Sequence, residues 1–259
     1  MVHRLLKNKA VQNILAVCLW LFVWQAVSVY VDSSILLVSP FEVLKTLFAL
    51  MLTPGFWATA ASSSVRIILG FLMGMAAGVA LAAVSSANGL LRVLLQPFML
   101  TVRSVPVASF IILALLWLRS ASNLAVLISF LMVLPIIYQN TLTGIMTADK
   151  ELLEMAQVFR VPLLRRIRYI YMPNAAPQYA AACRTALGLC WKSGIAAEVI
   201  GITRGSIGEA LYNAKLFLST AELFAWTLVI VLLSLLFEKL FMAVVDGFVK
   251  RVSGGRAEC

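Results

Sequence analysis

The sequence predicts an all-α polytopic membrane protein of about six transmembrane helices, with a polar helix pair between spans four and five. Three observations carry this. Of 259 residues, 62% are hydrophobic and only 12% are charged. Soluble domains carry about 45–50% apolar and about 25% charged residues, so too few charges exist here to clothe a water-facing surface. Apolar runs near the ~20 residues that cross a bilayer recur along the chain, and the mean hydropathy is +0.98. Finally, the chain is poor in the residues of soluble catalysis and metal binding. Cys18, Cys183, Cys190 and Cys259 form no C-x-x-C, and His3 sits alone in a basic tail, so no metal site is expected.

The first apolar run, about 11–31, follows that basic tail. It exceeds the ~7–15 residues of a signal-peptide core and has no small-x-small cleavage site, so it reads as span one. Asp32, Ser33, Ser34 and the Ser39-Pro40 pair break the pattern. Pro40 to Leu52 carries Glu42 and Lys45 and is too short to cross, which fits an interfacial helix; Thr53-Pro54-Gly55 closes it. Span two, about 62–85, contains Gly70, Gly74 and Gly78. Small residues at that spacing let helix backbones approach closely, and packing within the chain is favoured over dimerisation. Span three, about 94–118, holds Pro97, Arg103 and Pro106 in its first half and is expected to kink or start late. Span four is about 123–145 with Pro135 inside, span five about 176–200, and span six about 221–245. Gly201 to Thr220 is too short and polar to cross. Its Ile207, Leu211, Ala214 and Leu218 at helical spacing predict a re-entrant or interfacial helix.

The net charge of +10 follows from topology rather than from nucleic-acid binding. Arg4, Lys7, Lys9, Arg92, the basic residues of 146–174, and Lys250, Arg251 and Arg256 fall on one side of a six-span arrangement. The other side holds Lys45, Arg119, Arg204 and Lys215, with Arg66 near a helix end. Basic residues are retained in the cytosol, so both termini and the 146–174 loop are expected there.

That loop reads as two short helices. Ala148 to Phe159 begins with acidic residues, as a helix N-terminus prefers. Val161-Pro162 starts a second helix over Leu163 to Tyr171, with Leu164, Ile167 and Tyr171 on one stripe beside Arg165, Arg166 and Arg168, and Met172-Pro173 is expected to stop it. An apolar stripe with a basic flank suits docking of a soluble partner, and equally a helix resting on anionic membrane lipid.

The loop resembles the EAA signature of ABC importer permeases: Glu154-Met155-Ala156, then Ile170-Tyr171-Met172-Pro173 at the family's spacing. Met155 replaces an alanine and Met172 a leucine. Arg160 stands where the family has glycine, with Pro162 nearby to direct the turn. The likeness extends from about Val38 to Met242. Arg103-Ser104-Val105-Pro106, the run Ala186 to Gly201 and Gly205-Ser206-Ile207-Gly208 resemble segments of the nitrate/sulfonate/taurine-type permeases. The resemblance implies a single transmembrane permease domain over 1–259, in the inner membrane of a prokaryote. It implies a homodimeric permease pair, a cytoplasmic ABC ATPase subunit and an extracytoplasmic solute-binding protein as partners. ATP and Mg would sit on the ATPase, with no cofactor in this chain; no G-x-x-x-x-G-K-[ST] occurs in it. The ATPase-coupling role then falls to Glu154, Ala156, Arg160, Leu163, Leu164, Ile167 and Pro173.

Arg103, Arg184, Lys192 and Glu198 lie in or near spans, where a charge facing lipid costs about 2.5–3.5 kcal/mol. At about 100° per residue, Arg184, Gly188, Trp191, Ile195 and Glu198 share one helix face, with Lys192 nearby. Such a stripe suits a pathway wall that attracts an anion such as nitrate, a sulfonate or taurine. An internal ion pair fits Lys192 equally; for Arg184, near the helix start, an internal ion pair or snorkelling to the cytoplasmic interface fits better; Glu198 suits ordering of the next loop or pairing with a cation. Two other functions are weighed. An ion-coupled secondary carrier would show internal repeats, which are not evident, and a membrane enzyme would need a His, Asp or Glu cluster.

Overall fold

A computed structural model describes residues 9–33, 35–118 and 121–253, and these are helical without strands. His3, Arg4, Lys7, Ser34, Arg119, Arg256 and Cys259 lie outside the described residues. Helix α1, Lys9–Val31, covers the first apolar run; its apolar part, Leu15–Val31, is shorter than the helices long enough to cross a membrane. It stands at the periphery, anchored by Trp24 Nε1 donating to the Val38 carbonyl (3.1 Å) and Ser28 Oγ to that of Leu37 (3.2 Å). Its apolar side chains remain exposed, as a lipid-facing helix requires. Helix α2, Pro40–Met51, is the short amphipathic helix. Ser39 Oγ accepts from Glu42 N at 3.3 Å, an N-cap followed by proline at the first turn. Its buried Val43 and Leu47 face the bundle.

Helix α3, Pro54–Ala87, packs along α6, Leu124–Met146, which in turn packs along α9, Met172–Gly201. The three form the core, with α6 the most enclosed of the long apolar helices. Close approach of α3 and α6 depends on glycine. A Cβ on Gly74 would sit 2.9 Å from both the Phe130 carbonyl oxygen and Val133 Cβ, and one on Gly78 2.9 Å from Ile137 Cβ. The glycine stripe is therefore spent on internal packing.

Span three is two helices, α4, Gly89–Ser104, and α5, Val107–Trp117, bent by 105° at Val105-Pro106. Pro106 has no N–H to continue the ladder, and its ring pushes Val105 into the extended region. Helix α7, Lys150–Val158, and α8, Leu163–Arg166, form the 146–174 hairpin. One expectation is corrected here. Met172-Pro173 does not stop the second helix, because α8 runs through a π-turn, Ile167–Tyr171, directly into α9. Pro173 cannot donate to the Tyr169 carbonyl, and the wider turn just before it absorbs that defect without breaking the axis. Helix α10, Ile207–Leu216, lies against α9 and α11, and α11, Thr220–Ser253, completes the bundle. Leu218 falls outside α10, 66% exposed and at positive φ. By length and composition, α3, α6 with its leading turn, and α11 can each cross a membrane, and the bent α4–α5 pair is a fourth candidate.

Candidate functional site

Three polar regions interrupt the apolar bundle. The first is the α7–α8 hairpin. Asp149 Oδ1 caps α7 by accepting from Glu151 N at 2.9 Å. At the other end Arg160 adopts φ +50. Arg160 N donates to Gln157 O (3.1 Å) and Val161 N to Ala156 O (2.9 Å), the paired bonds of a Schellman motif whose left-handed residue is usually glycine. The tight turn therefore forms with arginine at the glycine position. Arg166 reinforces it, with Nε donating to Val161 O at 2.8 Å and a guanidinium NH₂ to Ala156 O at 3.3 Å. A cation at a helix C-terminus satisfies carbonyls that have no helical partner. Sequence reasoning placed Arg166 only on a basic flank; the cue it missed is a cation shortly after a turn that lacks glycine.

Ala156 is 2% exposed and sits beneath the hairpin with Ala148 and Ile170. It shapes the hairpin from within. Glu154, Leu163, Leu164 and Ile167 lie on the outside, joined by Val158 and Phe159, which sequence reasoning did not single out. Leu164 is 81% exposed and Phe159 74%. Pro173 is buried at the base, where Asn174 Nδ2 donates to the Gly144 carbonyl at 2.8 Å and ties the hairpin to α6.

The second region is a knot around Glu198. Its carboxylate is fully buried. It accepts from Ser63 Oγ (2.6 Å) and from Gly208 N (3.4 Å) and lies 3.4 Å from the Arg66 guanidinium. Ser63 Oγ accepts in turn from Ile207 N at 2.8 Å. Ser62 Oγ donates to the Gly205 carbonyl. Three elements, α3, α9 and α10, thus meet on one carboxylate.

The third region is a cleft between α4, α6 and α9. Its first chamber, about 360 Å³, is bordered by Arg103, Gln139, Asn140 and Thr185 among apolar residues. A second chamber of about 220 Å³ shares Arg103, Pro135 and Gln139 with the first and adds Gln96. A third of about 290 Å³ shares Gln96 and Gln139 and adds Arg92, Tyr138 and Thr143. Of the predicted pathway residues only Arg103 borders these chambers. Arg184 is paired with Asp246 on α11, both contacts 2.9 Å, so the internal ion pair is what forms. Trp191 and Ile195 are sealed in the helical core with Glu198 behind them, and Arg184 borders only a separate hollow against α11, with Leu235, Glu238, Lys239 and Met242. Lys192 is exposed, on the face of α9 that carries Thr185. Gln139, Asn140 and Thr185 were missed. The signal was present in Gln139-Asn140-Thr141, three polar residues inside an otherwise apolar span. No group of three or more His, Cys, Asp or Glu able to hold a metal occurs among the described residues.

Known proteins resemble this chain in sequence and in fold. The chain is 25% identical over 220 residues to the taurine transport system permease protein TauC of Escherichia coli (strain K12), covering 83% of this chain and 80% of that one. It is 32% identical over 199 residues to the putative aliphatic sulfonates transport permease protein SsuC of the same organism, covering 76% and 75%. With the nitrate import permease protein NrtB of Synechocystis sp. the identity is 25% over 219 residues, covering 80% and 79%. The fold matches the crystal structure of an amino acid ABC transporter with histidines at a TM-score of 0.55 and 17% identity, over 83% of this chain and 99% of that one. Residues 70–254 match the family described as the binding-protein-dependent transport system inner membrane component. The chain belongs to that family, and it is an ABC transporter permease, a multi-pass membrane protein built for transport.

Proposed function

We propose that this chain forms the translocation pathway of an ATP-driven importer for a small anion of the sulfonate, taurine or nitrate type. The solute would arrive on an extracytoplasmic binding protein. Two copies would pair across the pathway, each docking one cytoplasmic ATPase that carries the ATP and Mg. The relatives' names supply the solute class. The asymmetry of basic residues supports a reading with both termini and the hairpin in the cytosol.

The observation that carries the coupling role is the outer surface of the hairpin. Phe159, Leu163 and Leu164 project large apolar side chains into solvent beside the exposed Glu154. Apolar burial is worth roughly 25 cal/mol per Å², so a protruding ridge of this kind is stabilised by a complementary groove. Leu163, Leu164 and Ile167 would fill that groove, and Glu154 would bond a basic or backbone donor at its rim. Ala156, Arg160 and Pro173 would hold the hairpin's shape from behind. The π-turn links it rigidly to α9, so a displacement of the hairpin is passed to the helix that borders the cleft.

The test is a pull-down from the native host in mild detergent, with wild type beside Glu154→Arg and Leu164→Glu. The expected result is a stoichiometric ABC ATPase with wild type and its loss in both variants at normal membrane abundance. Equal recovery from all three would refute the docking role.

A further inference from the structure

We infer that the chain itself holds the anion, at a site in the α4–α6–α9 cleft where Arg103 and Gln139 are its principal ligands. This deepens the importer reading and rests on it. Specificity would then be read a second time, after the binding protein has released its cargo.

The electrostatics come first. The ion pairs among the described residues, Arg66–Glu198 and Arg184–Asp246, leave Arg103 with no carboxylate partner. No aspartate or glutamate borders any of the three chambers. Arg103 is exposed in the last turn of α4 and borders two of the chambers, so its guanidinium is open to a solute that supplies the missing negative charge. A guanidinium presents a fork of donors that matches the flat face of a nitrate, carboxylate or sulfonate.

The donors beside it fit the same ligand. Gln139 borders all three chambers and Gln96 two of them, so amide groups flank the route. Asn140 Nδ2 donates to the Ile136 carbonyl at 2.8 Å, and the exposed Gln139 amide makes no hydrogen bond among the described residues. Tyr138 is 2% exposed and borders the chamber that also contains Arg92. Its hydroxyl is buried without a hydrogen-bond partner. A buried hydroxyl left unmade is costly, so an orphan beside a cavity points to a ligand or ordered water that completes it. The first chamber's volume of about 360 Å³ lies within the range of small-molecule sites, roughly 300–1,000 Å³. Two helical turns along α9 from Thr185, exposed Lys192 lies on the same helix face, outside the three chambers.

The experiment uses the full complex of permease, ATPase and binding protein in proteoliposomes, with taurine and ethanesulfonate as radiolabelled probes. Arg103→Gln removes the charge, and Gln139→Glu inserts a carboxylate of nearly the same shape. Arg103→Lys and Gln139→Met are the conservative controls. Removing the cation beside a sulfonate group, or setting a carboxylate against it, weakens its binding, so ethanesulfonate uptake should fall at least about tenfold in Arg103→Gln and Gln139→Glu. Both controls should retain more uptake than their partners. Membrane abundance and recovery of the ATPase with the permease should match wild type in all four variants, because none of them lies on the hairpin, so a loss of uptake is not a loss of folding or assembly. Uptake by Gln139→Glu and Arg103→Gln equal to wild type overturns the site. So does a wild-type complex that hydrolyses ATP and imports a cation but neither sulfonate, while leaving the importer reading intact. Absence of an ATPase from the purified complex overturns the importer reading itself.

Discussion

At the scale of single residues, the backbone at Arg160 decides how the hairpin turns. A non-glycine residue in the left-handed region costs about 1–2 kcal/mol, yet Arg160 takes φ +50 with both Schellman bonds made. Arg160→Gly would relieve that strain while adding roughly 0.5–1 kcal/mol of unfolded-state entropy, so the two changes nearly cancel. Melting temperature and ATPase recovery are expected to match wild type, whereas Arg160→Val, β-branched at the same φ, should lower both. Arg166→Ala strips donors from the Ala156 and Val161 carbonyls, at a cost of about 1–3 kcal/mol where such groups are buried. It should weaken ATPase recovery although Arg166 touches no partner; unchanged recovery would show that the turn holds without it. Gly208 is a second fixed point, because a Cβ there would collide with Glu198 Cβ and its backbone. Gly208→Ala is therefore expected to detach α10 from α9, read as new proteolytic cleavage between 201 and 220. The Arg160 position was legible from the spacing of the signature. The roles of Arg166 and Gly208 were not, since each depends on a contact the chain order does not announce.

At the scale of elements, hydrophobic runs located the helices well but not their joints. The stripe Gly70-Gly74-Gly78 was readable as a packing face, and it meets α6 through Phe130, Val133 and Ile137. Gly74→Leu should therefore break the α3–α6 contact, because overpacking costs typically about 1–3 kcal/mol even where neighbours can shift. Fluorescence-detected size exclusion after a heating series would show a lowered melting point; an unchanged profile would mean the two helices do not approach this closely. Proline gave the position of the bend between α4 and α5, whereas its angle of 105° follows from tertiary packing. Pro173 misled in the opposite direction. It looked like a stop, and the chain instead widens into a π-turn over Ile167–Tyr171, so hairpin and α9 form one continuous lever. The cleft was the largest element-level omission. Periodicity on α9 pointed to the face of Arg184 and Trp191, and helix packing buried that face against α11 while opening the one that carries Thr185.

At the scale of the whole molecule, composition alone identified a membrane protein, and the order of motifs identified the permease family. On the proposed reading, the solute meets this chain at the cleft and the ATPase meets it at the hairpin ridge. Their separation has a consequence. Variants on the ridge should abolish coupling without altering solute preference, and variants in the cleft should do the reverse. Sidedness follows from the same layout: a cysteine at Arg165 should react with an impermeant maleimide only from the cytosolic face, and one at Lys215 only from the opposite face. The most direct measurement is site-specific photo-crosslinking in native membranes, with the reactive group placed at Phe159 or Leu164 and, as control, at Leu116 on α5. The docking account predicts adducts with an ABC ATPase from Phe159 and Leu164 and none from Leu116. Adducts with lipid alone from the two hairpin positions would contradict it.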